Sequence, residues 1–284
     1  MKKIILTLAL SCLSVSTCFA YKGDLLDRTI QQISNNKEAW NVVCESVNTS
    51  ALGAPRASDW SRWSYDKRVI ELNKQIRYNY GHSFVNIFRD AYSPDYKKIL
   101  LGTADKLDLS CSKDVLINDE DYEKVEKLIV AKVVQEYADS VIKKYGPDAW
   151  KKIEESTKAR IDAMHESKAL SDAEYQNIKG GIASAGVVGA LTVGSLSGFA
   201  PYMLATSLIY DVGALLGLEM GFGFAAPFMP WLGVVLGPVG WTAAGVFTAF
   251  TLGNTNWDKT IQGVVLIYSY RQQFKYADRL AKVK

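Results

Sequence analysis

Apolar side chains recur at helical spacing, among many charged residues, along most of the chain from Tyr21 to Lys179. Four residues at spacings of four, three and four would share one face of a helix: Tyr65, Val69, Leu72 and Ile76. Gly81 can end this helix. Ser93-Pro94 predicts the start of another, because proline suits the first helical turn. The apolar face of this second helix would consist of Tyr96, Ile99 and Leu100.

Three further helices are indicated by capping residues and proline. Asn118 followed by three acids, Asp119 to Asp121, predicts the start of a long helix, since acids favour the positive end of the helix dipole. Its inner face would be Val130, Val134, Tyr137 and Val141, and Gly146-Pro147 would end it. The next helix would have an apolar side made of Trp150, Ile153, Ile161 and Met164. Ser171 and Glu174 have the spacing of a capping box that begins another.

Between Lys179 and Asp258 the composition changes, because Asp211 and Glu219 are the only formal charges there. Two windows in this stretch are long enough to cross a hydrocarbon core as helices, Ile182–Pro201 and Trp231–Phe250. Small residues recur every four positions in four rows: Gly181, Ala185 and Gly189; Ala190, Gly194 and Gly198; Gly213, Gly217 and Gly221; Gly233 and Gly237. Such rows allow membrane helices to pack closely.

The apolar side chains of each window favour insertion by an amount on the order of 2 to 5 kcal/mol, which the glycines and Pro238 oppose. Asp211 would cost roughly 2.5 to 3.5 kcal/mol at a helix centre. Three interpretations follow. The stretch is a packed membrane hairpin with Asp211 and Glu219 at a turn or in a polar cavity, or a hairpin that the amphipathic helices cover until it meets a membrane. The third is a Gly-Ala-rich buried core of a soluble protein.

After Asp258 the pattern returns to an amphipathic helix, with Ile261, Val265 and Tyr268 on its apolar side. Four cations would form a basic stripe along it: Arg271, Lys275, Arg279 and Lys282. A basic stripe next to an apolar region is suited to anionic lipid headgroups. The sequence therefore predicts that this helix lies on a membrane surface.

The chain begins with the features of an export signal. Met1-Lys2-Lys3 is followed by the apolar stretch Ile4–Leu13, which is too short to span a bilayer. Cleavage after Ala20 places small residues at the cleavage site; lipid attachment at Cys18 is the alternative. Loss of Lys2 and Lys3 lowers the formal net charge from +3 to +1, which does not indicate a nucleic-acid partner. We therefore expect a periplasmic or secreted protein.

Two cysteines, Cys44 and Cys111, remain after cleavage. An oxidising compartment favours a disulfide between them over two separate buried thiols. The histidines, His82 and His165, show no metal-ligand spacing to either cysteine. We expect no cofactor and no enzymatic activity, because Gly194 to Gly198 has Leu196 where a nucleophilic serine would stand and no glycine-rich stretch carries a phosphate-loop lysine.

Two segments resemble motifs of the YaaW-like family of uncharacterised bacterial proteins. The first, GHSFVNIFRDAYSPDYKKILLGTADKLDL at residues 81–109, carries the match at Phe84, Asn86, Phe88, Arg89, Tyr96, Ile99, Asp105, Lys106 and Leu107. The second, LGPVGWTAAGVFTAF at residues 236–250 with TIQGVV at 260–265, carries it at Gly237, Pro238, Gly240 and Trp241. The resemblance implies a helical protein with a glycine-rich apolar C-terminal region and no catalytic residues. It also suggests an assembly factor for a membrane complex.

Taken together, these patterns predict an all-α, multi-helix bundle with a Gly-rich apolar C-terminal helical hairpin. The expected divisions are a signal peptide (1–20), an amphipathic helical domain (21–180), an apolar region of membrane type (181–255) and a basic C-terminal helix (256–284). The predicted function is association with, or insertion into, a lipid bilayer or the helices of membrane proteins, with self-association through the small-residue rows. A toxin-like protein and an envelope or respiratory-complex assembly factor are the two forms of this hypothesis.

Overall fold

The computed structural model describes residues 23–47, 54–80, 94–111, 118–192, 196, 198–215 and 257–280. Within these ranges the chain forms helices and no β-strand, which confirms the predicted all-α, multi-helix class. A short 3₁₀ turn spans Ala57–Asp59. The α-helices are α1 (Leu25–Ser34), α2 (Lys37–Val47), α3 (Tyr65–Tyr80), α4 (Tyr96–Lys106), α5 (Asp119–Tyr145), α6 (Pro147–Glu166), α7 (Asp172–Thr192), α8 (Ala200–Leu215), α9 (Trp257–Lys275) and α10 (Ala277–Leu280).

Side-chain caps fix where several of these helices begin. Asn118 accepts a hydrogen bond from the Asp121 backbone N–H at 3.0 Å, and the Asp121 carboxylate accepts one from the Asn118 N–H, which completes a capping box for α5. Ser171 and Glu174 form the predicted box at the start of α7. Asp95, rather than Pro94, caps α4, by accepting from the Lys98 N–H at 2.8 Å.

The helices pack in two groups that share α5. On one side α9 contacts α1, α2, α3 and α4, and on the other α6, α7 and α8 pack against one another and against α5. The predicted inner faces are buried as expected: Val69, Leu72, Ile76, Ile99, Leu100, Val130, Val134, Val141, Ile153, Ile161 and Met164. Tyr65 and Trp150 are exceptions, since 41% of Tyr65 is exposed and Trp150 is half-buried. Helix α9 was expected at a surface but is central, because nearly every described side chain from Thr260 to Gln273 is buried.

The window Ile182–Pro201 is not one helix, contrary to the prediction. Gly186 has φ 74° and ψ 175°, which kinks α7, and the helix ends at Thr192 before α8 begins at Ala200. A carboxylate oxygen of Glu154 accepts a hydrogen bond from the Val187 N–H at 3.3 Å and so satisfies a donor that the kink releases. Among the helices in the described ranges, none combines the length and apolar character that a membrane crossing requires.

Several predicted features lie outside the described residues. These are the signal peptide, the window Trp231–Phe250 and most of the apolar hairpin, together with Gly194, Gly217, Glu219, Gly221, Gly233 and Gly237. The expected division at 180/181 falls within α7, and the C-terminal helix α9 packs against helices of the expected 21–180 domain.

The expected disulfide is not formed. Cys44 and Cys111 are free thiols in the structure, Cys44 buried on α2 and Cys111 half-buried in the segment that follows α4. Burial raises the pKa of both thiols, that of Cys44 most strongly. The sequence contains two cysteines beyond the predicted signal but carries no information on their separation in space, which decides whether a disulfide can close.

Candidate functional site

Asp211, predicted as a polar residue within a membrane region, is a buried carboxylate inside the bundle. It lies on α8 and is 4% exposed. One of its oxygens accepts hydrogen bonds from Arg160 at 2.6 Å and from the Ser156 hydroxyl at 2.8 Å, and the other accepts from the Thr157 hydroxyl at 2.8 Å. The Arg160 guanidinium also lies over the Tyr210 ring, 4.1 Å from its centroid. This arrangement ties the apolar helix α8 to α6.

A second buried charge cluster joins α5 to α9. Glu126 has no exposed surface, and its oxygens accept hydrogen bonds from both terminal nitrogens of Arg271 and from the Tyr96 hydroxyl. Glu123 lies 3.5 Å from the Arg271 Nε and 3.6 Å from the Lys275 Nζ. Burial raises the pKa of Glu126 although Arg271 acts against it. A bidentate pair of this kind fixes both position and orientation of the two helices.

A third cluster holds the turn before α8 against α10. Both oxygens of Glu174 accept from Arg279, one accepts also from the Phe199 N–H at 3.1 Å, and the other accepts from the Ser171 hydroxyl at 2.7 Å. Arg279 Nε donates to the Ala169 carbonyl at 2.9 Å. Burial acts to raise the pKa of Glu174, but the hydrogen bonds from Arg279 and Ser171 lower it to about 2.

These two clusters engage three of the four C-terminal cations that were expected to face lipid headgroups. Arg271 is buried against Glu126, Lys275 lies near Glu123, and Arg279 is paired with Glu174. Lys282 lies beyond the described residues. The cations are regularly spaced along the sequence, but their partners come from α5 and α7. The predicted basic stripe is therefore wrong for Arg271 and Arg279, whose charges are paired within the bundle.

A fourth cluster joins α1, α3 and the start of α4. Arg77 is 1% exposed and donates to Asp27 at 2.7 Å, to both oxygens of Asp24 at 3.3 Å and to the Pro94 carbonyl. Asp24 in turn accepts from the Tyr96 N–H at 2.9 Å. Burial and the neighbouring Asp24 raise the pKa of Asp27. In each of the four clusters a buried or half-buried charge is paired with a residue of another helix.

Sequence reasoning missed Glu126 although a signal for it exists. Glu126 is four positions before Val130 and eight before Val134, so it extends the predicted inner face of α5 by one turn. A carboxylate on a buried face needs a cationic partner. The identity of that partner, Arg271, could not be found in the same way, because the two residues are 145 positions apart.

The small residues that were expected to pack membrane helices have other surroundings where the structure describes them. Gly181 is buried, whereas Ala185 is exposed, and a Cβ on Gly189 would lie 2.7 Å from the Ala185 Cβ because of the kink between them. Gly198 has φ 63°, and a Cβ there would lie 2.9 Å from a Glu174 oxygen. Gly198 is therefore a turn residue against a carboxylate, not part of a helical row; Gly213 lies in α8.

His165 and the tryptophans have structural environments. The His165 ring stacks on Tyr175 with centroids 4.0 Å apart and is hydrogen-bonded to Asp172 at 2.8 Å, across the turn between α6 and α7. Trp60 and Trp63 each lie 6.3 Å from the ring of buried Trp40. Within the described ranges no group of three His, Cys, Asp or Glu side chains could hold a metal ion.

An open cavity of about 220 Å³ lies between α5, the turn before α8 and α9. Its floor is buried and consists of Leu196, Pro201, Tyr268 and Gln272; its walls and rim consist of Glu120, Glu123, Lys124, Lys127 and Gly198. Lys127 is half-buried and donates to the Leu196 carbonyl at 2.9 Å. Burial, with the charge of Lys124, lowers the pKa of Lys127. Five of the nine lining residues are charged or polar, so the cavity is suited to a polar ligand above a buried floor.

Comparison with known proteins identifies no relative. No model of a protein family matches the chain, and no curated protein and no solved structure is similar to it. The resemblance to the YaaW-like family therefore stays a prediction. Of its motif residues, Phe84, Asn86, Phe88, Arg89, Gly237, Pro238, Gly240 and Trp241 lie outside the described residues. Tyr96, Ile99 and Leu107 are core residues of the bundle, so packing alone explains them.

Proposed function

We propose that the protein is exported and associates with a lipid bilayer, or with helices embedded in one, through residues 216–256, which the helical bundle carries. The observation that supports this most strongly is the composition of that segment. It has 41 residues and a single formal charge, Glu219. We assign it no enzymatic activity.

The positions at which the segment leaves and rejoins the bundle support this assignment. The segment follows α8, in which Asp211 is ion-paired to α6 and Val212 is fully buried. It precedes α9, in which Ile261 is fully buried and Arg271 is ion-paired to α5. Two firmly packed helices thus carry the most apolar stretch of the mature chain between them. Apolar stretches of this length in a charged, exported protein are suited to a lipid or apolar partner.

Fewer segments remain available for membrane contact than the sequence first indicated. Ile182–Pro201 is divided between two helices of the bundle, and the C-terminal cations are paired internally. Trp231–Phe250 is the window that is left, with an apolar side-chain gain on the order of 2 to 5 kcal/mol for insertion. Gly233 and Gly237 give it one small-residue row for contact with a second apolar helix.

Liposome flotation of the purified chain without its signal tests the proposal. The wild-type protein should float with vesicles, and a variant carrying both Val235→Asp and Phe247→Asp should not, because each carboxylate costs roughly 2.5 to 3.5 kcal/mol within an apolar helix. The matched control carries Lys151→Asp and Lys152→Asp on the exposed face of α6. Equal flotation of all three proteins, or of none, would refute the bilayer contact.

The assembly-factor form of the hypothesis is favoured by the row of Gly233 and Gly237, which suits close approach of a partner helix. It predicts that the native protein co-purifies with one envelope complex. The double variant Gly233→Leu, Gly237→Leu should abolish this co-purification, while its flotation with pure lipid is unchanged or absent. Leucine adds apolar surface, so the same variant should float at least as well as wild type if lipid is the partner.

A further inference from the structure

We propose that the cavity between α5, the turn before α8 and α9 binds the anionic group, a carboxylate or a phosphate, of a small ligand, with Lys127 as its counter-ion. The site belongs to the bundle and does not involve residues 216–256. It is therefore independent of the proposed membrane contact.

The distribution of charge around the cavity carries the inference. Glu120 pairs with Lys124 at 3.4 Å, and Glu123 lies near Arg271 and Lys275, so both carboxylates of the wall have cationic neighbours. Lys127 is bonded to a carbonyl, and within the described ranges no carboxylate is at ion-pair distance from it. A half-buried ammonium that lacks such a partner favours binding of an anion, because folding has already removed part of its hydration shell.

The floor of the cavity supplies the other features of a binding site. Tyr268 and Gln272 are 3% and 2% exposed, and Leu196 is 1% exposed, so the base is formed by packed side chains rather than mobile ones. Gln272 Oε1 is a buried acceptor without a hydrogen-bond partner in the described part of the chain. A buried unsatisfied acceptor is uncommon in a folded protein. Because that oxygen is enclosed, Gln272 shapes the floor of the cavity and is assigned no contact with the ligand.

The lowered pKa of Lys127 predicts how the affinity of the cavity for an anion depends on pH. Because burial and Lys124 lower this pKa, the lysine loses its charge at a lower pH than an exposed lysine. Anion affinity should accordingly begin to fall at a lower pH than it would beside an exposed lysine. An adventitious surface lysine would hold its affinity to higher pH.

The test uses the full mature chain with lysine Cε and Nζ resonances observed by NMR. Acetate and glycerol 3-phosphate are titrated in, and acetate is chosen for the pH series because its own charge is constant above pH 6. The Lys127 resonance should shift with saturation, and Lys127→Met should weaken binding about tenfold or more. The control, Lys132→Met, removes a lysine of the same helix that pairs with Glu136 outside the cavity and should leave binding unchanged.

A second arm distinguishes a soluble ligand from a lipid headgroup with the same phosphate chemistry. Binding to phosphatidylcholine vesicles is measured with and without phosphatidic acid. A headgroup ligand would make the gain caused by phosphatidic acid depend on Lys127, whereas a soluble ligand would leave that gain intact in Lys127→Met. Lys127→Arg, which keeps the charge, should retain the anion binding that Lys127→Met loses. Failure of both anions to shift the Lys127 resonance, or an equal loss in Lys132→Met, would overturn the site, whatever the flotation result.

Discussion

Glu126 and Arg271 form a bidentate, buried ion pair between α5 and α9, across 145 positions of sequence. Glu126 is fully buried and Arg271 is 7% exposed, so neither charge can be satisfied by water if the other is lost. Tyr96, on α4, donates to the same carboxylate. Three helices therefore meet at one carboxyl group, and α9 is held in the centre of the bundle at this point.

Arg271→Met should destabilise the protein by about 3 to 5 kcal/mol, because it leaves Glu126 buried without its cation. Urea unfolding followed by circular dichroism measures the change. Arg28→Met is the matched control, since the Arg28–Asp119 pair is exposed on both sides and its loss should cost less than about 1 kcal/mol. Similar losses in the two variants would contradict a dominant role for the buried pair.

Glu174 should make stability depend on pH in the acid range. Its pKa is about 2 in the folded protein and near the ordinary 4.5 when unfolded. The stabilisation is therefore fully present above pH 4.5 and is lost as the pH falls towards 2, in an amount of about 2 kcal/mol after screening. Glu174→Gln should remove this dependence.

The informative quantity is the difference in unfolding free energy between wild type and Glu174→Gln at each pH from 2 to 6. Glu126, whose pKa is raised, changes stability in the opposite sense, but it contributes equally to both proteins and cancels in the difference. A difference that stays constant across this range would show that Glu174 is not held ionised by Arg279.

Alanine substitution should destabilise the protein at two glycines but not at a third. Gly198→Ala places a methyl group against Glu174 at positive φ, and Gly186→Ala must adopt a conformation that is essentially restricted to glycine. Each should destabilise by about 1 to 3 kcal/mol. Gly180→Ala, in the helical part of α7 with nothing within 4 Å of the new methyl, should stabilise by up to about 1 kcal/mol. Thermal unfolding compares the three, and a loss at Gly180 would argue against this account.

The sequence predicted local structure better than it predicted long-range contacts. The boxes at Asn118 and at Ser171 depend on residues three positions apart, so they could be read directly. The kink at Gly186 could not, because glycine permits a positive φ without requiring one. Arg271 and Lys275 lie on α9 as expected, whereas Arg279 lies on the separate helix α10, and periodicity does not distinguish lipid from Glu126 as the partner of a cation.

The free thiols should differ in reactivity. Cys44 is fully buried and burial raises its pKa strongly, whereas Cys111 is partly exposed. Because the thiolate is the reactive form, a maleimide should label Cys111 in the native protein and Cys44 only after unfolding. Mass spectrometry of the native protein, alkylated without reductant, counts the labelled sites. If both cysteines react with the maleimide only after reduction, the protein contains the disulfide between them.

Asp211 and Arg160 should be coupled energetically, although more weakly than the pair at Glu126. Arg160 retains 17% side-chain exposure and stacks on Tyr210, so its charge keeps part of its stabilisation when the carboxylate is removed. Asp211→Asn keeps one acceptor oxygen for the Ser156 or the Thr157 hydroxyl, and its amide N–H can donate to the other hydroxyl, which leaves the loss of the ion pair as the main change. We expect a destabilisation of about 1 to 3 kcal/mol for Asp211→Asn. With Arg160→Met, a double-mutant cycle should give a coupling of at least about 1 kcal/mol. A coupling near zero would mean that packing of α8 alone holds it to α6, and the anchor proposed for residues 216–256 would then rest on apolar contacts.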